Sequence, residues 1–167
     1  TRIDGIRSKE MEMKIRDAVA DDLDALIALN EEVHSIHVSL FPDVFRNTDA
    51  SALGNWFKGQ MSNAATAVLL GIEDDRVVAY LIMRMVKRDA DVFCHARSCV
   101  YIDHLCVAAE YRNRGVARAL IEETKRRAKQ EGMTRLELDV WSENREAKRA
   151  FHALGFTTYN EQMAREI

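Results

Sequence analysis

An arginine-rich loop with a single glycine lies between a predicted strand and a predicted helix. It reads Tyr111-Arg112-Asn113-Arg114-Gly115-Val116-Ala117, and the apolar period that follows is helical. The first N–H groups of a helix have no partner within the helix, and the helix dipole adds about half a positive charge there. Such a terminus binds a pyrophosphate directly where small residues, here Gly115 and Ala117, permit close approach of the backbone. The loop therefore predicts an anion site, with an ordinary strand-to-helix turn as the alternative.

Other residues that could bind a metal or take part in catalysis are scattered along the chain. His34 and His37 lie three apart on a predicted helix, but no further ligand follows at a recognisable spacing, so no metal is expected. Cys106 lacks an obvious paired base and is interpreted as a buried packing cysteine rather than a nucleophile. His104 follows Asp103 on a predicted strand, so alternation places the two side chains on opposite faces.

The composition predicts a globular protein with one domain. The chain has 167 residues, 47% hydrophobic and 31% charged, with a formal net charge of -3. This charge gives no reason to expect a nucleic-acid partner, and no apolar run approaches the ~20 residues of a membrane span. The cysteines have neither zinc spacing nor a secretory context, which favours a reducing, cytoplasmic setting. Residues 1–12 are polar and unpatterned, and we interpret them as a disordered or expression-derived arm before a single domain at 13–167.

The apolar periods predict the elements that position the loop. Alternation over residues 13–19 indicates a first strand, and Asp21 and Asp22 are expected to cap a helix that breaks at Pro42. A second helix is expected from Thr48–Asp49. The pattern then predicts a hairpin over 65–86, a strand over 99–107, a helix from 116 that ends at Gly132, a strand over 136–141, a helix over 144–154 and a strand over 156–163. The order βααβββαβαβ predicts an α/β domain with a mixed central sheet flanked by helices.

Three motifs in sequence order resemble the GNAT acetyltransferase superfamily. They are the strand Ile102-Asp103-His104-Leu105-Cys106-Val107, the loop Arg112-x-x-Gly115-x-Ala117, and Asn144-x-x-Ala147 followed by Phe151 and Gly155-Phe156. The resemblance covers roughly the C-terminal half of the chain, and the opening Ile15-Arg16-Asp17-Ala18 also looks like the first strand of that family. It implies a sheet that splits between two cofactor-binding strands. It also implies an N-acetyltransferase in which a primary amine attacks the thioester of acetyl-CoA directly.

The resemblance also implies which residues hold acetyl-CoA. The split would lie between the strands 102–107 and 136–141, and an N–H of the first strand would polarise the thioester carbonyl. No metal is implied. The implied cofactor-binding residues are Leu105, Cys106 and Val107 through backbone groups along the pantetheine arm; Arg112, Asn113, Arg114, Gly115, Val116, Ala117 and Arg118 around the pyrophosphate; Asn144 on the pantetheine or its phosphate; and Ala147 and Phe151 along the channel.

The attacking amine must lose a proton, and Asp103 is the predicted catalytic base. A lysine-like amine has a pKa of about 10.4, so its neutral form costs roughly 4–5 kcal/mol at pH 7, and a nearby carboxylate can take that proton. In relatives a carboxylate at the matching strand position serves as base, and alternation places Asp103 on one face with Tyr101 and Leu105. A structural carboxylate is the alternative for Asp103, and Glu31 and Glu32 are reserve candidates.

Phe151 departs from the pattern of the family. The family often has a tyrosine at this position, which protonates the departing CoA thiolate, whereas phenylalanine carries no such proton. A free thiol has a pKa of about 8.5, so a thiolate leaves tolerably well without a donor. Water, His152 and Tyr159 stay open as substitutes, and the acid is unassigned.

The acceptor is expected to be a small-molecule or peptide amine. Its pocket would be lined by residues 30–60, which include His34 and His37, and by residues 87–98. The sequence is also compatible with a homodimer. The alternative to an enzyme is a non-catalytic acyl-CoA-binding regulatory module, which needs the anion site but no base and which Phe151 favours. An ATP or NAD site is disfavoured by the single glycine and the missing Walker lysine.

Overall fold

Five strands and four helices make up residues 13–167, which are the part of the chain that the computed structural model describes. The predicted arm at residues 1–12 lies outside the described residues. Short 3-10 turns at Ala20–Asp22 and Ala109–Tyr111 precede α1 and the arginine-rich loop. The elements are β1 Lys14–Asp17, α1 Leu23–Leu40, α2 Ala50–Ser62, β2 Thr66–Glu73, β3 Arg76–Arg88, β4 Arg97–Val107, α3 Val116–Gln130, β5 Leu136–Leu138 and α4 Arg145–Ala153.

The strands form one mixed sheet in the order β1-β2-β3-β4-β5. The first four strands are antiparallel to their neighbours, and β5 runs parallel to β4. One face of the sheet buries Leu81, Val100 and Ile102 against α3, and the other buries Tyr80 and Ile82 against α1 and α2. The α/β class and the mixed central sheet flanked by helices are therefore confirmed.

Local chemistry explains where several elements begin and turn. Asp74 and Asp75 both have positive φ, 48 and 59 degrees, which a two-residue hairpin turn of type I′ requires. The second helix starts where it was predicted, and Asp49 caps it, because its Oδ1 accepts the N–H of Ala52 at 2.8 Å. The predicted cap of α1 is wrong, since the carboxylate of Asp22 instead accepts from Arg16 and from the N–H of Val19.

The final predicted strand, over residues 156–163, is wrong. This segment has no strand pairing in the described chain and lies against the sheet through Tyr159, whose hydroxyl donates to Glu137 at 3.2 Å. The guanidinium of Arg135 stacks on the same ring at 4.4 Å. The predicted strand over 136–141 is also shorter, because β5 ends at Leu138. A three-residue edge strand offers few backbone groups for a further strand to pair with.

Candidate active site

The sheet opens between β4 and β5. Within the described chain β5 pairs with β4 at Val100, Tyr101 and Ile102 alone, whereas β4 continues to Val107. A β-bulge accompanies the opening, because β3 pairs with Ile102 and His104 at successive positions and leaves Asp103 as an extra residue. The last residues of β4 therefore present a backbone edge without a strand beside it.

Alternation along β4 decides which peptide groups face this opening. The N–H of Ala108 donates to the carbonyl of Val78 on β3, so residues at even spacing from Ala108 also direct their peptide groups to β3. Leu105 and Val107 consequently direct theirs toward the opening. Cys106 does not, and its predicted backbone role is corrected: its peptide group faces β3 and its side chain is buried beside Tyr80. Burial raises the pKa of its thiol to about 12, which disfavours nucleophilic use.

The arginine-rich loop turns sharply before α3. Asn113 and Gly115 adopt left-handed backbone conformations with φ of 59 and 85 degrees. The first helical bond runs from the N–H of Ala119 to the carbonyl of Gly115 at 3.0 Å. The N–H groups from Asn113 to Arg118 precede this bond, and none of them donates a hydrogen bond within the described chain. The loop is therefore a cluster of free amide donors at the positive end of a helix.

Two arginines of this loop interact with other groups of the protein. Arg112 donates to the carbonyl of Val107 at 3.1 Å and to Glu32 on α1 at 3.1 Å. Glu32 uses the same oxygen to accept the N–H of Ala109 at 2.9 Å, and so links the loop to α1. Arg114 stacks on Tyr111 at 5.1 Å. The backbone of the loop, more than its side-chain charge, is available to an anion.

Asn144 begins α4 on the far side of the opening. Its Oδ1 accepts the N–H of Ala147 at 3.1 Å and so caps the helix, which leaves its amide nitrogen for another partner. Ala147 and Phe151 are half-buried and lie four apart, on one face of α4. Phe151 packs edge-on against Phe156 at 5.8 Å, and Arg118 of α3 donates to the carbonyl of Ala153. α4 is thereby fixed next to the start of α3.

Asp103 lies at the point where the strands separate. Arg84 on β3 holds both carboxylate oxygens, at 3.1 Å from Nε and 2.9 Å from Nη2. Arg84 also stacks over Tyr101 at 5.2 Å. Each carboxylate oxygen has a second lone pair, so Asp103 keeps acceptor capacity while its position is fixed. Tyr101 donates to Asp139, and burial followed by this bond raises the pKa of Tyr101.

The bulge corrects two predictions about the faces of β4. Leu105 packs with Ile102 on the α3 side and so does not share a face with Asp103. His104, predicted to point away from Asp103, lies on the same face of the sheet, because one inserted residue reverses the alternation. Its Nδ1 is 3.2 Å from the hydroxyl of Tyr80, and burial lowers its pKa.

An aromatic cluster that the sequence did not reveal bridges the opening on the α1 side. His37 stacks on Phe45 at 5.1 Å, and Trp141, after β5, contacts Phe41 at 4.8 Å and Phe45 at 5.0 Å. His34 is fixed by the carbonyl of Arg46 at 2.7 Å from Nε2. Within residues 13–167 no group of three or more His, Cys, Asp or Glu side chains is placed to hold a metal ion.

A cavity of about 480 Å³ extends from Asp103 along the same face of the sheet. It lies between β3, β4 and β5 and is bordered by the C-terminal segment. Its lining is rich in charge of both signs. The lining residues are Arg84, Val86, Arg88, Arg97, Cys99, Tyr101, Asp103, Glu137, Leu138, Asp139, Tyr159 and Asn160.

The chain resembles known acetyltransferases in sequence and in fold. The model of the Acetyltransferase (GNAT) family matches residues 30–156. The fold superposes on a tetramutant of the BH1408 protein from Bacillus halodurans with a TM-score of 0.88, 27% identity and coverage of 92% of this chain and 99% of that one. No curated protein matches the sequence significantly.

Two aminoglycoside N-acetyltransferases share the fold at lower identity. AAC(6')-Ih from Acinetobacter baumannii has a TM-score of 0.72 and 20% identity, with coverage of 93% of this chain and 97% of that one. AAC(6')-Iy in complex with CoA has a TM-score of 0.73 and 19% identity, with coverage of 96% of this chain and 97% of that one.

Among the described helices, none is long and apolar enough to cross a membrane.

Proposed function

Because the chain belongs to the GNAT acetyltransferase family and is an acyltransferase, we propose that it transfers an acetyl group from acetyl-CoA to a primary amine. One observation carries this proposal. The free amide donors at the start of α3 lie beside the open backbone edge of β4, and a CoA thioester needs both features. The complex of AAC(6')-Iy with CoA supports the choice of this co-substrate.

The residues present fit acetyl-CoA, which supplies the acetyl group as an activated thioester. The amides from Asn113 to Arg118 would bind the pyrophosphate, and peptide groups of Leu105 and Val107 would pair with the pantetheine arm. An N–H from this edge would polarise the thioester carbonyl. Asn144, Ala147 and Phe151 would border the arm from α4, and Arg112 would position the loop through Glu32 and Val107.

We assign the proton acceptor to Asp103. The amine must be neutral when it attacks, and a carboxylate that accepts its proton directly or through water meets that need. Arg84 holds the carboxylate in one orientation and leaves a second lone pair on each oxygen, and Asp103 lines the cavity. Phe151 carries no acidic proton, so the thiolate would leave without a donor from that position.

Asn144 offers a way to separate helix capping from cofactor binding. Asn144→Ala is expected to lower the free energy of unfolding by about 1 kcal/mol because the bond to Ala147 is lost. Asn144→Ser retains a capping oxygen but lacks the amide nitrogen, so its stability should stay near that of the parent. Both variants should bind CoA more weakly if the amide nitrogen contacts it. Chemical denaturation and calorimetric titration measure the two effects, and unchanged CoA affinity in Asn144→Ser would remove this residue from the site.

The amine acceptor is proposed to be a small molecule or a peptide. The aminoglycoside acetyltransferases of the same fold support a small-molecule amine, and the open cavity beside Asp103 also admits an extended chain. The free thiols of Cys94, Cys99 and Cys106 support a reducing, cytoplasmic setting. We retain a single domain over residues 13–167 and a homodimer as proposals.

Thiol release from acetyl-CoA in the presence of an amine panel tests the activity. The panel should contain polyamines, amino acids, short peptides and aminoglycosides, with a parallel thermal-shift comparison of CoA, ATP and NAD. We expect stabilisation by CoA alone and thiol release with at least one amine. Tight CoA binding without turnover on any amine would instead favour a non-catalytic acyl-CoA-binding module, and failure of CoA to bind would overturn the proposal.

A further inference from the structure

The cavity beside Asp103 has a second end at the far side of the β3–β4 hairpin. Arg84 pairs with Tyr101 across these strands, and four residues further along β3 Arg88 pairs with Arg97. All four residues line the cavity. At about 3.3 Å per residue, the second pair lies roughly 13 Å along the strand from the first. The cavity therefore spans the distance between the proposed reacting group and an arginine pair.

Both arginines of the pair are exposed, and an interaction with Tyr159, followed by the charge of Glu137, raises the pKa of Arg97. Like charges directly opposite each other on neighbouring strands are destabilising. Among the described residues no carboxylate lies within ion-pair distance of Arg88 or Arg97. The nearby Asp91 uses its carboxylate to accept the N–H groups of Phe93 and Cys94 in its own loop.

Two of the three carboxylates that line the cavity have their partners at the end that holds the proposed base. Asp103 pairs with Arg84, and Asp139 accepts from Tyr101. Glu137, midway, pairs with Arg135 at 2.7 Å and accepts from Tyr159, and its charge also acts on Arg97. The cavity is thus acidic next to the proposed base and basic at the hairpin end. A polycationic acceptor would meet like charge at that end.

Building on the proposed function, we propose that the acceptor is a short peptide-like amine that carries a carboxylate, which Arg88 and Arg97 bind while the amine lies next to Asp103. Arginine forks suit a carboxylate, because they donate two parallel N–H groups to its two oxygens. A peptide of three or four extended residues spans about 10–14 Å between its amino and carboxyl termini. That length matches the separation of the two ends of the cavity.

Tetra-alanine with a free carboxyl terminus and its C-terminal amide form a matched pair of probes. They have the same amine and length and differ in the charge at the far end. We expect kcat/KM for the free acid to exceed that for the amide by roughly tenfold, which is typical of a lost charge-assisted hydrogen bond. The preference should weaken for the dipeptide, which cannot reach both ends. Equal kcat/KM for acid and amide would overturn the inference.

The double variant Arg88→Gln/Arg97→Gln tests whether these two residues bind the carboxylate of the acceptor. It should abolish the preference for the free acid, because kcat/KM for the acid falls to the level of kcat/KM for the amide. Arg76→Gln, at the exposed β2–β3 turn outside the cavity, is the control and should retain the preference. A preference that persists in the double variant would overturn the assignment.

Binding measurements distinguish failure of this inference from failure of the proposed activity. If other amines release thiol but neither peptide does, the acetyltransferase stands and the peptide-like acceptor is overturned. If no amine reacts, calorimetric binding of the acid and the amide to CoA-saturated protein gives the same comparison. Tighter binding of the acid, lost in the double variant, supports the arginine subsite, and equal or undetectable binding overturns it.

Discussion

Replacement of Asp103 by asparagine should lower kcat by about 10²–10⁴, the usual contribution of a positioned general base. Asparagine keeps the size of the side chain but cannot accept the amine proton. The dissociation constant of acetyl-CoA should stay essentially unchanged, because Asp103 lies on the face of β4 that carries Arg84 rather than along the open edge. Steady-state kinetics with the best amine of the panel, together with calorimetric CoA binding, measures both effects.

The ion pair with Arg84 requires a control for this experiment. Asp103→Asn removes a negative partner from Arg84, so a structural role would reduce stability. Arg84→Gln breaks the same pair but keeps the carboxylate as a proton acceptor, and it should retain more activity than Asp103→Asn. If both variants lost activity equally and in step with their melting temperatures, Asp103 would be a structural carboxylate. Full activity in Asp103→Asn would also contradict its role as base.

Replacement of Gly115 by valine should raise the dissociation constant of CoA by roughly tenfold to a hundredfold, as expected when hydrogen bonds to a charged group are lost. Gly115 has a φ of 85 degrees immediately before α3, and a side chain there favours a different backbone conformation. The free amides from Asn113 to Arg118 would then no longer converge on one anion. Calorimetric titration with CoA measures this loss.

Gly132 provides a matched control at the other end of α3. It has a φ of 70 degrees, and at both glycines an added Cβ would meet no heavy atom of the described chain within 4 Å. Both valine variants should therefore carry a similar strain of about 1–2 kcal/mol in the free energy of unfolding. Only Gly115→Val should weaken CoA binding. Equal CoA affinity in the two variants would show that the loop before α3 is not the pyrophosphate site.

The sequence predicted α3 and the glycine turns at its two ends because their signals are local. The helical period from Val116, the glycine before it and the glycine that ends α3 at Gly132 are each readable within a few residues. The same is true of the cap at Asp49 and the aspartate turn between β2 and β3. The described elements through α4 consequently occur in the predicted order.

The errors arose where distant contacts override a local pattern. One extra residue at Asp103 moved His104 and Leu105 to faces that strict alternation does not allow. Arg112 has a partner on α1, Glu32, eighty positions away in sequence, and no spacing rule reveals such a pair. The contacts of Trp141 with Phe41 and Phe45 likewise join the loop after α1 to the segment after β5. These features depend on contacts between elements that are distant in sequence, and the periodicity of one segment does not predict such contacts.

Backbone hydrogen exchange with and without CoA tests the central claim most directly, because the proposed site consists mainly of peptide N–H groups. CoA should slow exchange at the amides from Asn113 to Arg118 and at Leu105 and Val107. The amide of Cys106, which faces β3, should change little. Protection confined to these positions would support a CoA site at the opening between β4 and β5. Bound CoA with no protection at the start of α3 would contradict it.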